Sequence, residues 1–461
     1  MKKFALVLLV ASLLLLGGQA FADVETVDAV PAATLLLPYF EVDLGAGPGA
    51  GVTTLFEINN ASAAPALAHV TVWTDWSIPV LDFDVFLTGY DVQTVNLYDV
   101  FVDGNLPITA DEQSDGADSI SPHGDNPAWD DSFTNCDLFF PFFINPLLQG
   151  TRLSDLQASL TGQPTTANAN CDGADHGDNV ARGYITVDSV NECSIDFPND
   201  AGYFTDGVNP GIANNNNVLW GNYYIIDPAN GFAGGDTLVH VEAEDGYTGG
   251  ASGYTFYARY PDAVNNNREA LGESWAARYL SPPVFEATNF VVWRDSTSAD
   301  LTSRGCGAPG DVGTGPSWHP LNEVEVVAFD EEENAVQLCT GGGGGGVISP
   351  PLPGSPDPSC FPLETNRVAT DGSTSWAPAL ASPYAFGWMF LNLNVGIDAP
   401  NDDYDPAGFE ELAQSHVSII MSANAGAYNV GLSAVELTAA ADGANPELVP
   451  SNNIDPLIVV Q

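Results

Sequence analysis

The chain has 461 residues, 45% of them hydrophobic and 10% aromatic, which is enough apolar side chain to build a core and excludes a disordered polyelectrolyte. Its formal charge is −50, from 60 acidic against 10 basic residues, and both lysines lie within the first three positions. Nucleic acid and anionic lipid are bound through basic patches, so both are excluded as partners by this balance.

At the N-terminus Lys2 and Lys3 precede an apolar run, Phe4 to Leu16, and Ala20-Phe21-Ala22 has the small-x-small form of a cleavage site. Residues 1–22 therefore read as a secretory leader, and the protein is expected to be secreted, whether extracellular, at the cell surface or periplasmic. The apolar run is too short to remain as an anchor, and no later stretch reaches the roughly 18 apolar residues of a membrane span.

Beyond the leader, period-two alternation dominates. It appears at Thr53–Ile58, in "HVTVWTDW" from His69 to Trp76, in "DFDVFL" from Asp82 to Leu87, and at Val92–Leu97, Gly183–Val190, Val218–Ile226 and Thr237–Glu244. It recurs at Tyr254–Tyr260, Phe285–Trp293, Glu323–Phe329, Phe386–Val395, Val417–Met421 and Tyr428–Leu437. Short β-branched and aromatic runs separated by Gly, Asn, Asp and Pro clusters predict an all-β protein of immunoglobulin-like sandwiches. Helical spacing is confined to three decorations: "TRLSDLQASL" at Thr151–Leu160, "NREALGESWAARYL" at Asn267–Leu280, and "DPAGFEELAQ" at Asp405–Gln414, capped by Asp405.

Strand counts divide the chain near "DGYTGGASG", Asp245–Gly253, into two sandwiches. The first covers 23–247 with a polar insertion at about 103–182. The second covers 248–461 with a Gly/Pro-rich loop at 340–359. "VWTDWS" at Val72–Ser77 and "VWRDST" at Val292–Thr297 share V-W-x-D near the middle of each half, a hint of duplication.

Cys339 and Cys360 flank the Gly/Pro loop and are expected to staple it, which closing 22 residues makes worth about 3 kcal/mol in the loop-entropy model. Three of the six cysteines fall in each half, so full pairing requires at least one bridge between halves. With Cys339–Cys360 paired, Cys306 must reach into the first half, and the two sandwiches become one fused unit.

Catalytic signatures are absent: there is no H-E-x-x-H, G-x-S-x-G, P-loop or C-x-x-C-H. "GESWA", Gly272–Ala276, lacks the closing glycine of a nucleophile elbow, so Ser274 reads as a surface serine in a helical segment. The oxygen-rich loop "CDGADHGDN" gathers Asp172, Asp175, His176 and Asp178 among glycines, the composition of a Ca²⁺ loop without EF-hand spacing. In "VHVEAED", His240, Glu242 and Glu244 share one strand face at a spacing suited to Zn²⁺ or a transition metal, or simply to a solvated face. Of nine tryptophans, Trp73, Trp220, Trp293 and Trp388 lie within strands and read as packing residues. Trp129, Trp318 and Trp376 lie in loops and are the better candidates to stack on sugars.

The expectation is a non-enzymatic, exported β-sandwich protein with a structural, adhesive or ligand-binding role, its partner a glycan or a cell-surface protein. The alternatives are a secreted polysaccharide hydrolase using two of the many carboxylates, or a carbohydrate-binding module.

Overall fold

The computed structural model describes residues 30–107, 148–167, 169–204, 211–243, 255–260, 266–282, 287–295, 304–309, 311, 315–316, 318–321, 323, 325–338, 360–370, 385–393, 414–423 and 428–437. The first half contributes β1 (Thr34–Asp43), β2 (Thr53–Asn60), β3 (Ala66–Thr74), β4 (Pro79–Leu87), β5 (Val92–Asn96), β6 (Val180–Val190), β7 (Leu219–Trp220), β8 (Asn222–Asp227), β9 (Phe232–Thr237) and β10 (Val239–Val241). Two helices interrupt it, α1 (Leu97–Phe101) and α2 (Thr151–Leu160). The second half contributes β11 (Ser274–Leu280), β12 (Ala287–Arg294), β13 (Glu325–Asp330), β14 (Ala335–Gln337), β15 (Thr365–Ala369), β16 (Phe386–Asn392), β17 (Ser415–Ala423), β18 (Tyr428–Ser433) and β19 (Val435–Glu436).

These strands form four sheets, and each sheet draws on one half only. Sheet I has the order β10-β1-β6-β3-β4, and sheet II the order β5-β2-β8-β9 with β7 paired to β2 in line with β8. Sheet III is β14-β13-β16-β11-β19 and sheet IV is β15-β12-β17-β18. Every strand pairing in them is antiparallel. The protein is all-β, as the alternation predicts.

Sheets I and II enclose one core, with Leu35, Leu37, Val70, Val72, Phe83 and Val85 facing Phe56, Ile58, Tyr223 and Ile225. Sheets III and IV enclose another around Trp275, Tyr279, Phe290, Val292, Met389 and Ile419. Each such side chain, fully buried, contributes roughly 1.5–3 kcal/mol.

The halves are joined because sheets I and IV are buried on both faces. All nine residues of β3 and all eight of β12 are buried, although an open sandwich would leave alternate residues wet. The second face of sheet I carries Leu36, Leu67, Trp73 and Tyr184, covered by Tyr203, Phe204, Phe256, Tyr257, Tyr260 and Trp293. The tryptophans of both V-W-x-D segments meet in this layer. Trp73 stacks on Tyr184 at 5.7 Å, and Trp293 meets the same ring edge-on at 5.9 Å. From sheet IV, Val291 and Ile420 join the core of the first half.

The Cys171–Cys306 disulfide adds a covalent tie across 135 residues, the bridge between halves that cysteine parity demands. Cys360 is also disulfide-bonded, while Cys339 and the loop at 340–359 lie outside the described residues.

Two local readings need correction. "NREALGESWAARYL" is not helical: Ser274–Leu280 is a strand between β16 and β19. Its alanines favour helix, but Trp275, Ala277 and Tyr279 alternate inward to the core, and that burial outweighs propensities of a few tenths of a kcal/mol per residue. Ser274 is accordingly buried rather than a surface serine. The Tyr254–Tyr260 run is a turn over 255–260 whose rings cap sheet I, not a strand. The helix at Thr151–Leu160 forms as spaced, and the segment Asp405–Ala413 lies outside the described residues.

Candidate functional site

A buried row of polar and titratable groups crosses sheet I. Register places Thr34 of β1 opposite Asp188 of β6, Asp188 opposite His69 of β3, and His69 opposite Asp84 of β4. Four consecutive strands thus present polar side chains at one level and on one face, and all four residues are fully buried. Two residues along the strands, Thr186, Thr71 and Asp82 form a second level on that face.

Asp188 is saturated. One carboxylate oxygen accepts from the Thr34 hydroxyl, and the other accepts from Tyr203 and Tyr257, each at 2.9 Å. Thr34 in turn accepts from Arg268 Nε at 2.8 Å, with the guanidinium 3.7 Å from Asp188. Burial holds both tyrosine hydroxyls well above their ordinary pKa, so they remain donors.

His69 Nδ1 lies 2.8 Å from Asp84 Oδ1, and Asp84 Oδ2 accepts from the Ser194 backbone N–H at 3.3 Å. Burial opposes the imidazolium. The Asp84 charge and hydrogen bond, with Asp82 and Asp188 nearby, outweigh it and raise the His69 pKa. Burial likewise lifts Asp82 to about 6 against the pull of His69. A His–Asp pair is the rear of a hydrolytic triad. Here Nε2 has no hydrogen-bond partner among the described residues and is sealed from solvent. Among the described residues no hydroxyl lies within hydrogen-bond distance of Nε2 to be activated.

A second cluster lies where the halves meet. Arg259 pairs with Asp295 at 2.8 Å and with Glu364 at 3.2 Å, and donates to Tyr260 at 2.7 Å and Tyr184 at 3.3 Å. All three charged residues are buried. Burial pushes Asp295 up to about 7, with Arg259 pulling the other way and Glu364 adding to the rise. Further along the seam Arg367 reaches Glu41 at 2.6 Å, Arg304 reaches Asp172 at 2.8 Å, and Tyr223 and Ser418 share a hydrogen bond at 3.2 Å. Four of the eight arginines, Arg259, Arg268, Arg304 and Arg367, therefore link the halves, in a protein with almost no other cations.

The loop singled out for Ca²⁺ sits at this seam, and its groups point to separate partners. Asp172 accepts from Arg304 and from Ser159 Oγ at 2.8 Å each, and Asp178 takes Arg182 through two bonds at 2.7 and 2.8 Å. His176 Nε2 lies 2.8 Å from Asp75, while Asp175 Oδ1 accepts from the Gly177 N–H at 2.8 Å. Among the described residues no three His, Cys, Asp or Glu side chains come together as a metal site requires. His240 is buried on β10, its pKa lowered to about 4 by burial, beside the half-buried Glu242, and Glu244 lies outside the described residues.

Of the loop tryptophans, Trp318 is buried at 6% exposure with Trp76 and the Cys171 bridge, and Trp129 and Trp376 lie outside the described residues. Among the described tryptophans the exposed one is the strand residue Trp220, at 39%.

Sequence reasoning did not single out His69, Asp84, Asp188, Arg259, Asp295 or Glu364. The signal available was the arginines themselves. Segments such as "FYARY" and "VVWRD" set a lone cation among apolar residues, which is tolerable only beside a buried acid.

Among the described residues no helix is long and apolar enough to cross a membrane. Comparison with family models, curated proteins and solved structures returned no match.

Proposed function

We propose that the protein is exported and acts outside the cytoplasm as a non-catalytic β-sheet body with a structural, adhesive or ligand-binding role. The observation that carries this reading is the condition of the buried charges. Asp188, Asp295, Glu364, Arg259 and Arg268 are paired with one another or with hydroxyls, and none faces a substrate-accessible surface. Catalytic acids and bases need a proton path to a bound substrate, and these groups lie instead between packed layers. Export is supported by the leader-like residues 1–22 and by the disulfide, since such bonds persist in oxidising compartments. The two sheet pairs read as immunoglobulin-like sandwiches fused along one side, a reading supported by antiparallel sheets stacked in pairs.

The test is incubation of the mature protein with a panel of chromogenic glycosides and with neutral and anionic polysaccharides, followed by release of chromophore and of reducing ends. The expected result is no release above blank. Turnover that survives repurification, and is lost when Asp82 or Asp84 becomes Asn while the melting temperature is kept, would establish the hydrolase alternative.

A further inference from the structure

The outer face of sheet II departs from the rest of the acidic surface. Most residues of β2, β5, β7 and β8 that point outward are half-buried or exposed, Asn59 being buried, whereas their neighbours Phe56, Ile58, Leu219, Tyr223 and Ile225 fill the core. Trp220 and Tyr224 stand on this outer face with 39% and 48% of their surface exposed. Both belong to one line of chain, because β7 and β8 pair with β2 in a single register: Asn59 faces Trp220 and Leu55 faces Tyr224. Gly221 makes that alignment feasible, since a Cβ there would lie 2.0 Å from the Glu57 carbonyl oxygen. Four residues of extended strand separate the rings by about 13 Å.

Between the two aromatic levels lies a polar one. Asn222 Nδ2 donates to Glu57 Oε1 at 2.9 Å, and Thr94 stands opposite Glu57 on β5. Val92, 50% exposed, is on the same level as Trp220 across β2. The face therefore alternates ring, hydrogen-bonding side chains, ring. Glu57 is the one carboxylate among the described residues of these strands that points outward, in a chain with 60 acids.

We propose that this face binds an extended neutral polysaccharide, with Trp220 and Tyr224 as stacking platforms and Asn222, Glu57 and Thr94 as the hydroxyl-reading groups between them. A sugar ring has apolar C–H faces and a hydroxyl edge, which matches flat aromatic surfaces alternating with amide, carboxylate and hydroxyl groups. The separation of the rings selects a chain over a single sugar. Charge selects a neutral one: polyanions are repelled by the body, and a polycation would find a single carboxylate here. A peptide ligand pairs with a sheet edge, and this surface is the middle of a sheet face. The proposal deepens the ligand-binding part of the function proposed above and rests on it. It fails independently, because it is read by retention and not by turnover.

The experiment is affinity electrophoresis of the mature protein in native gels containing hydroxyethylcellulose, galactomannan or starch, with alginate as the anionic comparison. Wild type, Trp220→Ala, Tyr224→Ala, Trp220→Phe and a distant surface control, Val435→Ser, are run together, with melts to confirm folding. At least one neutral polymer should retard wild type and the control. Trp220→Ala and Tyr224→Ala should each weaken retention at least tenfold, and Trp220→Phe should retain part of it. The proposal is overturned by no retardation in any neutral gel, by retardation in alginate alone, or by equal retention of the alanine variants. It is also overturned if light scattering finds a dimer that Trp220→Ala dissociates, since the face would then be a contact between two copies.

Discussion

Replacing Arg259 by Met removes the cation that two buried acids share, and keeps much of the side chain's volume. Asp295 and Glu364 lie 2.8 and 3.2 Å from the guanidinium and all three residues are buried, so the variant leaves two carboxylates facing each other in the seam. Breaking a buried pair from one side costs about 3–5 kcal/mol, because the remaining charge is uncompensated. The cost must depend on pH. Without Arg259 the folded variant relieves the repulsion by keeping a proton on the pair above about pH 7, where wild-type Asp295 has released its own. A folded state holding one extra proton loses stability, relative to wild type, by about 1.4 kcal/mol for each pH unit of increase. The deficit should therefore be largest near pH 8 and much smaller near pH 5.5.

Wild type shares the sign of this trend. Asp295 titrates at about 7 when folded, well above its ordinary value. Its contribution favours folding when protonated and is lost as pH rises through 7. The assay is urea unfolding at several pH values without reductant, analysed by linear extrapolation, with the exposed Arg278→Met as control, expected within about 0.5 kcal/mol of wild type. A loss below about 1 kcal/mol, or one that does not change between pH 5.5 and 8, would refute a closed ionic seam.

Replacing Cys171 and Cys306 together by Ser should cost on the order of 4–5 kcal/mol, the loop-entropy value for a closure of this length, read by the same unfolding assay. An unchanged midpoint would mean that packing alone fixes the two halves. His69→Gln should destabilise most at low pH: a raised imidazole pKa stabilises the fold fully below about 6.5 and loses that effect as pH rises through the folded value. A deficit greatest at pH 9 would contradict the protonated pair with Asp84. The melting temperature should rise with NaCl, because screening relieves a net −50 more in the compact state than in the expanded chain, and a flat response would show the acids too dispersed to matter. At matched ionic strength millimolar Ca²⁺ and chelator should give the same melt, since Asp172 and Asp178 are already held by Arg304 and Arg182; a rise with Ca²⁺ would show that the arginines yield to metal.

The all-β class was legible because period two survives wherever a strand has one polar side, as in Thr53–Asn60 on sheet II. It does not tell a wet face from an interior one where strands are buried on both sides. In "HVTVWTDW" and "DFDVFL" the polar positions His69, Thr71 and Asp84 have the spacing of a solvated face, yet they line a second interior layer, with Asp82 half-buried at its margin. Nothing local distinguishes the two cases, because the cover comes from residues 203–204, 256–260 and 293. The arginine pairs were hidden for the same reason: Arg367 finds Glu41 across 326 positions. The tryptophans show the limit of reading exposure from element type. Trp318, in a loop, is enclosed by the disulfide layer, and Trp220, on a strand, faces outward because Leu219 beside it takes the core.

The buried charges and aromatic rings join the two pairs of sheets into one body. Differential scanning calorimetry of the mature, oxidised protein tests it most directly. One transition is expected whose calorimetric and van't Hoff enthalpies agree, near 0.7 kcal/mol per residue at about 60 °C. Two resolved transitions, each carrying about half the enthalpy, would show that the halves fold and melt separately and that the seam does not unite them.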